Sequence, residues 1–274
     1  MPTIDWKVAI QYAKLVELAE SVAPTSDDSQ LTAQLAALNY TFVATFFGND
    51  IATDINQGQL QDPVSFGFLA LSAAGELVVS IRGTATFLEW IQDARFGNVD
   101  SPVAGSTGKT EDGFTDLYNS LHMGTDPSTT PTLLAAIQTQ LAGAAKTVTV
   151  CGHSLGGALT TLVAMDVALN STCKDPVVYS FASPRVGDPT FSQQYDSVVP
   201  NTFRVANRFD IVPQLPPPGP FIPYEHVKTL FEVVPSLFEV KFDLGCMHHL
   251  ATYMFLMAKK AGIGGFQLPA GCHV

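Results

Sequence analysis

Thr147-Val148-Thr149-Val150-Cys151-Gly152-His153-Ser154-Leu155-Gly156-Gly157-Ala158 begins as a β-branched run, which favours a strand, and then turns through Gly-x-Ser-x-Gly. The residues that follow, Ala158 to Met165, read as a helix. Strand, Gly-x-Ser-x-Gly and helix in immediate succession are the context of a nucleophile elbow. The serine of such a turn sits on a strained backbone, and its glycines let neighbouring chain approach closely. A plain glycine-rich turn would not need flanks that fit on both sides. Ser154 is the candidate nucleophile.

Working outward, an apolar periodicity marks a helix over residues 5–20, broken at Pro24-Thr25-Ser26-Asp27-Asp28. Leu31 to Phe47 is apolar and fits either helix or strand. Val64 to Leu71 and Glu76 to Ile81 flank Ala73-Ala74-Gly75 as a hairpin. Residues 85–96 carry Phe87, Trp90 and Ile91 at helical spacing, and residues 97–112 read as loop. Helices are expected from about Gly113 and over Pro131 to Leu141. Val177 to Phe181 and Thr202 to Val205 are short strands, Glu225 to Val240 is extended, and Leu250 to Lys260 is a closing helix. Strands alternating with helices predict an α/β fold with a mostly parallel sheet, as one domain over 1–274.

Composition narrows the function. The chain has 274 residues, 46% hydrophobic and 14% charged, with a net charge of −11. That balance argues against nucleic acid as a partner and against a polybasic membrane anchor. No apolar run approaches the roughly 18 residues of a membrane span. Met1-Pro2-Thr3-Ile4-Asp5-Trp6 lacks the pattern of a secretory leader. The expectation is a soluble monomer, either cytoplasmic or secreted with its leader outside this chain. Of the four cysteines, Cys151 reads as a small core residue, and Cys246 could bridge to Cys272 in an oxidising compartment.

A serine hydroxyl needs a base, usually a histidine held by a carboxylate. Asp166, twelve residues along the elbow helix, is about 18 Å away along its axis, too far to serve. Asp188 and Asp196 flank an expected surface helix. Asp210 follows a strand at its C-terminal end, where catalytic groups collect in open α/β sheets, and is the candidate acid. Among later histidines, His226 lies in an extended segment and His273 at the terminus. His248 and His249 stand in a loop before the last helix, and the residues alone do not choose between them. His153 is excluded as base because it neighbours Ser154 in the same turn and points away. Cys246, His248, His249, Cys272 and His273 lack zinc-site spacing, so no metal and no cofactor is expected. The Leu155 N–H and Thr84, at the end of Arg82-Gly83-Thr84, are candidate oxyanion donors.

These residues resemble the class 3, or fungal-type, lipase family of α/β hydrolases. The resemblance rests on Ile81-Arg82-Gly83-Thr84, Asp112-Gly113-Phe114, Cys151 to Ala158, Phe181-Ala182-Ser183-Pro184-Arg185-Val186-Gly187 and Asp210 to Pro217, in the family's order. It implies Ser154 as nucleophile, Asp210 as acid, Thr84 with Leu155 as oxyanion hole, and helices on both faces of the sheet. His248-His249-Leu250-Ala251-Thr252-Tyr253 fits the family's His-x-Leu-x-x-Tyr variant, which makes His248 the expected base. It also implies a lid over 85–96, whose Phe87, Trp90 and Ile91 would cost about 5–9 kcal/mol to expose to water, an upper bound. The implied activity is hydrolysis of lipid esters at an oil–water interface, most simply of triacylglycerols. Phospholipase A1, feruloyl or short-chain esterase and an inactive lipase-like interaction module are the alternatives.

Overall fold

The computed structural model describes residues 3–21, 28–49, 63–84, 97–219 and 223–274. Among them, seven strands form one sheet in the order β1-β2-β3-β6-β7-β8-β9. β1 (Tyr40–Gly48), β2 (Val64–Ser72) and β3 (Glu76–Ile81) pair antiparallel. β6 (Thr147–His153), β7 (Val177–Phe181), β8 (Thr202–Asn207) and β9 (Leu230–Val233) continue from β3 in parallel. The expected hairpin and the mostly parallel sheet are both present.

Two-residue alternation sends side chains to opposite faces of this sheet. Leu77, Val79 and Ile81 of β3, with Val148 and Val150 of β6, enter one apolar layer. That layer is closed by α3 (Asp112–Asn119), α4 (Leu133–Ala142), α5 (Leu155–Asn170) and α6 (Pro189–Val198). Val78, Cys151, Tyr179 and Phe181 enter the other, under α1 (Trp6–Ser21), α2 (Asp28–Ala37) and α8 (Leu250–Ala261). Burying each large apolar side chain contributes about 1.5–3 kcal/mol, so both faces are strongly specified. α5 is buried from Leu155 to Ala168, all the way round, which fits its almost uninterrupted apolar sequence.

The structure corrects two expectations. The ambiguous stretch 31–47 is both helix and strand: α2 ends at Ala37, and Asn39, in the left-handed region at φ 65°, turns the chain into β1. Residues 97–112 are not all loop, because β4 (Asn98–Asp100) pairs with β5 (Lys109–Glu111) as a small separate ribbon. No described helix is long and apolar enough to cross a membrane.

Candidate active site

Four chain segments meet at the C-terminal ends of the parallel strands. β3 runs out through Arg82 and Gly83 to Thr84, β6 into Ser154, and β8 towards Asp210. The fourth, α7 (Leu244–His248), supplies His248, which therefore ends a short helix and does not stand in the loop expected from the sequence.

Ser154 lies between β6 and α5 with φ 58° and ψ −124°, a strained position for a residue with a side chain. The turn closes because Gly152 and Gly156 carry none. A Cβ on Gly156 would come within 2.5 Å of the Ile81 and Arg82 carbonyl oxygens, and one on Gly152 within 2.4 Å of the Gly156 oxygen. The Ser154 N–H donates to the Phe181 carbonyl at 2.9 Å, pinning the turn to β7.

The Ser154 hydroxyl lies 2.8 Å from His248 Nε2, and His248 Nδ1 lies 2.8 Å from Asp210 Oδ2. Asp210 is 1% exposed and accepts two further hydrogen bonds, from the Tyr253 hydroxyl at 2.7 Å and the Val212 N–H at 3.0 Å. His248 is therefore the histidine that reaches the serine. His249 is exposed, and its ring caps α8 by accepting from the Ala251 N–H. Burial lowers the His248 pKa below the ordinary imidazole value, while the Asp210 hydrogen bond and charge oppose it. A neutral imidazole is the form able to take a proton from the serine.

Thr84 lines the same cleft as Ser154, His248, Gly245 and Leu250, a space of about 450 Å³. Gly83 packs on the nucleophile, since a Cβ there would stand 3.2 Å from Ser154 Cβ. Leu155 opens α5, so its N–H has no partner within the helix. Both expected oxyanion donors thus flank Ser154. Phe87, Trp90 and Ile91, with all of residues 85–96, lie outside the described residues. Cys246 and Cys272 form a disulfide with Cα atoms 5.4 Å apart, which removes both from any thiolate ligand set. The other carboxylates lie elsewhere: Asp166 accepts from Tyr118 and Asn170, and Asp188 caps α6.

Three supporting residues of the site, His153, Glu20 and Tyr253, are given no role there by sequence reasoning. His153 makes no hydrogen bond to Ser154, as expected, yet its Nε2 lies 2.8 Å from the His248 carbonyl oxygen and its Nδ1 2.9 Å from Glu20 Oε1. Glu20, at the end of α1, lines the cleft. Tyr253 is visible in the sequence only as the end of a motif, and holds Asp210 in the structure.

The model of the family described as Lipase (class 3) matches residues 78–219, more than half of the chain. The chain belongs to the class 3 lipase family. Among curated relatives, phospholipase A1-Igamma3, chloroplastic, of Arabidopsis thaliana is 32% identical over 227 residues, covering 66% of this chain and 42% of its own length. The chain thus spans less than half of that relative. Among solved structures, the lipase from Rhizopus microsporus var. chinensis is 26% identical with a TM-score of 0.61, covering 84% of this chain and 74% of its own. A deletion mutant of the Rhizomucor miehei lipase propeptide complex matches with a TM-score of 0.64 at 23% identity, covering 86% of this chain and 69% of its own. The sheet order and these likenesses make this class 3 lipase relative an α/β hydrolase.

Proposed function

We propose that the chain is a serine carboxylester hydrolase acting on lipid esters, with triacylglycerol as the first substrate class. The observation that carries this reading is the His248 ring, bonded on one side to Ser154 and on the other to Asp210. His248 Nε2 takes the Ser154 proton as the oxygen attacks the ester carbonyl. The oxyanion that forms meets the Leu155 N–H and Thr84. His248 then returns the proton to the leaving alcohol, and the C–O bond breaks. In the second half a water gives its proton to His248 and attacks the acyl-enzyme, and His248 passes that proton to Ser154 Oγ as the acyl C–O bond breaks and the fatty acid leaves. Asp210 accepts the hydrogen bond from the His248 Nδ1–H and keeps the ring oriented throughout. The lid role of Phe87, Trp90 and Ile91 belongs to the same proposal.

The chemistry needs no cofactor. Labelling by a serine-directed phosphonate tests it: the parent protein labels stoichiometrically, Ser154→Ala does not, and an unlabelled parent overturns the reading. Thr84→Val, which removes one oxyanion hydroxyl, is expected to lower kcat by about 10²–10³-fold.

A second reading, phospholipase A1 activity, is favoured by the name of the Arabidopsis relative at 32% identity. Rates on triacylglycerol and on diacyl phosphatidylcholine, with the position of cleavage, separate the two. Faster release from the sn-1 ester of the phospholipid replaces triacylglycerol as substrate and leaves the mechanism standing.

A further inference from the structure

A second space, of about 150 Å³, lies between helices α3, α4 and α5 on one face of the sheet. Leu133, Leu134 and Ile137 of α4, with Val163 and Val167 of α5, give it apolar walls. Asn119 and Thr132 stand in the lining and are exposed, so the cavity opens to water on that side. It shares no lining residue with the cleft. Asp166, which also lines it, lies twelve residues beyond Ser154 on α5, about 18 Å along the helix.

That carboxylate is what points to a ligand. Asp166 is 6% exposed, and a charge taken out of water costs stability unless a counter-charge and hydrogen bonds replace the solvent. It accepts from the Tyr118 hydroxyl and, at 2.6 Å, from Asn170 Nδ2. Both donors are neutral. Burial and the Asp166 charge hold the Tyr118 pKa well above the ordinary phenol value, so its hydroxyl keeps the proton it donates. Among the described residues no Lys, Arg or His pairs with Asp166. A carboxylate offers about four acceptor positions, and these two bonds leave the others open.

The local field has the same sign. Asp166 is one turn from Asn170, where α5 ends and its carbonyl dipoles place negative charge. Lys174 already answers that field: its Nζ donates to the Ala168 and Leu169 carbonyls, each at 3.2 Å, and makes no ion pair with Asp166. The end of the helix thus draws a cation on its outer side and presents an unmatched carboxylate on the cavity side.

Size and charge together select the occupant. An apolar cavity of about this volume accepts a benzene-sized body. A buried anion with open acceptor positions favours a charged donor over a neutral one, because charge-assisted hydrogen bonds are the stronger. We infer that the cavity between α3, α4 and α5 binds a small monoamine cation, with its primary ammonium on Asp166 and an apolar body of about benzyl size against Ile137 and Val163. The site is separate from the Ser154 cleft and does not depend on the hydrolase reading.

The test titrates the full chain with benzylamine, a cation at neutral pH, by calorimetry. One saturable site with a Kd of about 1 mM is expected, a modest affinity for about eight non-hydrogen atoms. Benzyl alcohol, which has the same body and no charge, is expected to bind about tenfold more weakly. Asp166→Asn is expected to weaken benzylamine by about the same factor and to leave benzyl alcohol where it was. Leu134→Trp places a larger side chain in the cavity and is expected to abolish binding of both. A cooperative thermal transition shows that each variant folds, and if Asp166→Asn does not, Leu134→Trp and the alcohol comparison decide. Absence of saturable binding overturns the inference. Equal affinity for the amine and the alcohol removes the ammonium from it and also overturns it. So does undiminished benzylamine binding in folded Asp166→Asn or Leu134→Trp, which places the amine elsewhere on the protein.

Discussion

The two nitrogens of the His153 ring face the Glu20 carboxylate and the His248 carbonyl oxygen. Each of those groups accepts when Glu20 is ionised, so the ring carries both protons and is an imidazolium. Burial pulls its pKa down, but the Glu20 charge and hydrogen bond, the His248 carbonyl and the Asp210 charge carry it above the ordinary value. Burial likewise raises Glu20, and the charge and hydrogen bond of His153, with His249 and His248, bring it below the ordinary value. The ion pair therefore stabilises the fold between those two pKa values, being lost as pH falls through that of Glu20 or rises through that of His153. The His153 ring centroid lies 4.8 Å from that of His248, with the Tyr253 edge beyond. The charge on His153 disfavours a second positive charge on His248, and the more distant Glu20 favours it more weakly. Glu20→Gln removes the counter-charge and lets His153 go neutral, so the acid limb of kcat/KM is expected to move to higher pH, with Glu20→Asp restoring it. A purely structural loss would lower the rate and leave the limb in place. Tyr253→Phe tests the acid's support: it removes a donor to Asp210 and leaves the buried Asn207 N–H without its 2.9 Å partner. It is expected to cost about 1–3 kcal/mol of stability in urea unfolding. A kcat about tenfold lower at constant KM would accompany it, and a raised KM with kcat intact would refute the positioning role.

Helix α3 starts on a buried acid. Glu111 accepts from the Phe114 N–H at 2.8 Å, and burial, with the neighbouring Asp112 carboxyl, pushes its pKa up to about 8. The unfolded chain gives up that proton near 4.5, whereas the fold keeps it to about 8, so this group weakens the fold as pH rises between those values. Glu111→Gln keeps the acceptor for Phe114 and a donor toward Asp112 without the titration. The variant is expected to match the parent near pH 5 and to exceed it by about 1–3 kcal/mol at pH 8 in urea unfolding. Parallel curves across that range would show that no proton is held there. The elements that carry the site were legible because their signals are local. Val148 to Gly157 contains strand, turn and helix in one run, and Asp210 needed only the end of an apolar strand. The β4–β5 ribbon was not legible, because three-residue strands offer too few residues for alternation to register. The Glu20–His153 contact spans 133 residues of sequence and comes from packing α1 across the sheet, which no local pattern encodes. The choice of His248 over His249 needed the motif ending at Tyr253, since adjacent residues share every local signal.

At the scale of the whole molecule, two histidines, the buried His248 and the half-buried His226, have their pKa lowered by desolvation. His226 donates to the Pro213 carbonyl, and burial with the charges of Arg204 and Arg185 depresses its pKa to about 3. Burial lowers His248 as well. The sign is the reverse of that at Glu111. Below about 6.5 the unfolded chain binds protons that the fold refuses, so stability falls as pH falls, by about 1.4 kcal/mol per unit for each such histidine until its folded pKa is reached. Between pH 4.5 and 6.5 the Glu111 effect runs against these, and below 4.5 the His226 effect acts without it, down to about pH 3. Part of the acid sensitivity of this chain is therefore assigned to His226 and His248, alongside the loss of the Glu20 charge at lower pH, and His226 can be tested without touching the candidate triad. His226→Gln keeps an N–H donor for Pro213 and does not titrate. Urea unfolding at pH 6.5, 5.5 and 4.5 is expected to show a variant whose slope with pH is smaller by about 1.4 kcal/mol per unit. If variant and parent lose stability in parallel over that range, the acid limb belongs to other groups. If the slope flattens while the acid limb of kcat/KM stays fixed, folding and catalysis titrate through separate histidines, His226 beside Pro213 and His248 in the cleft.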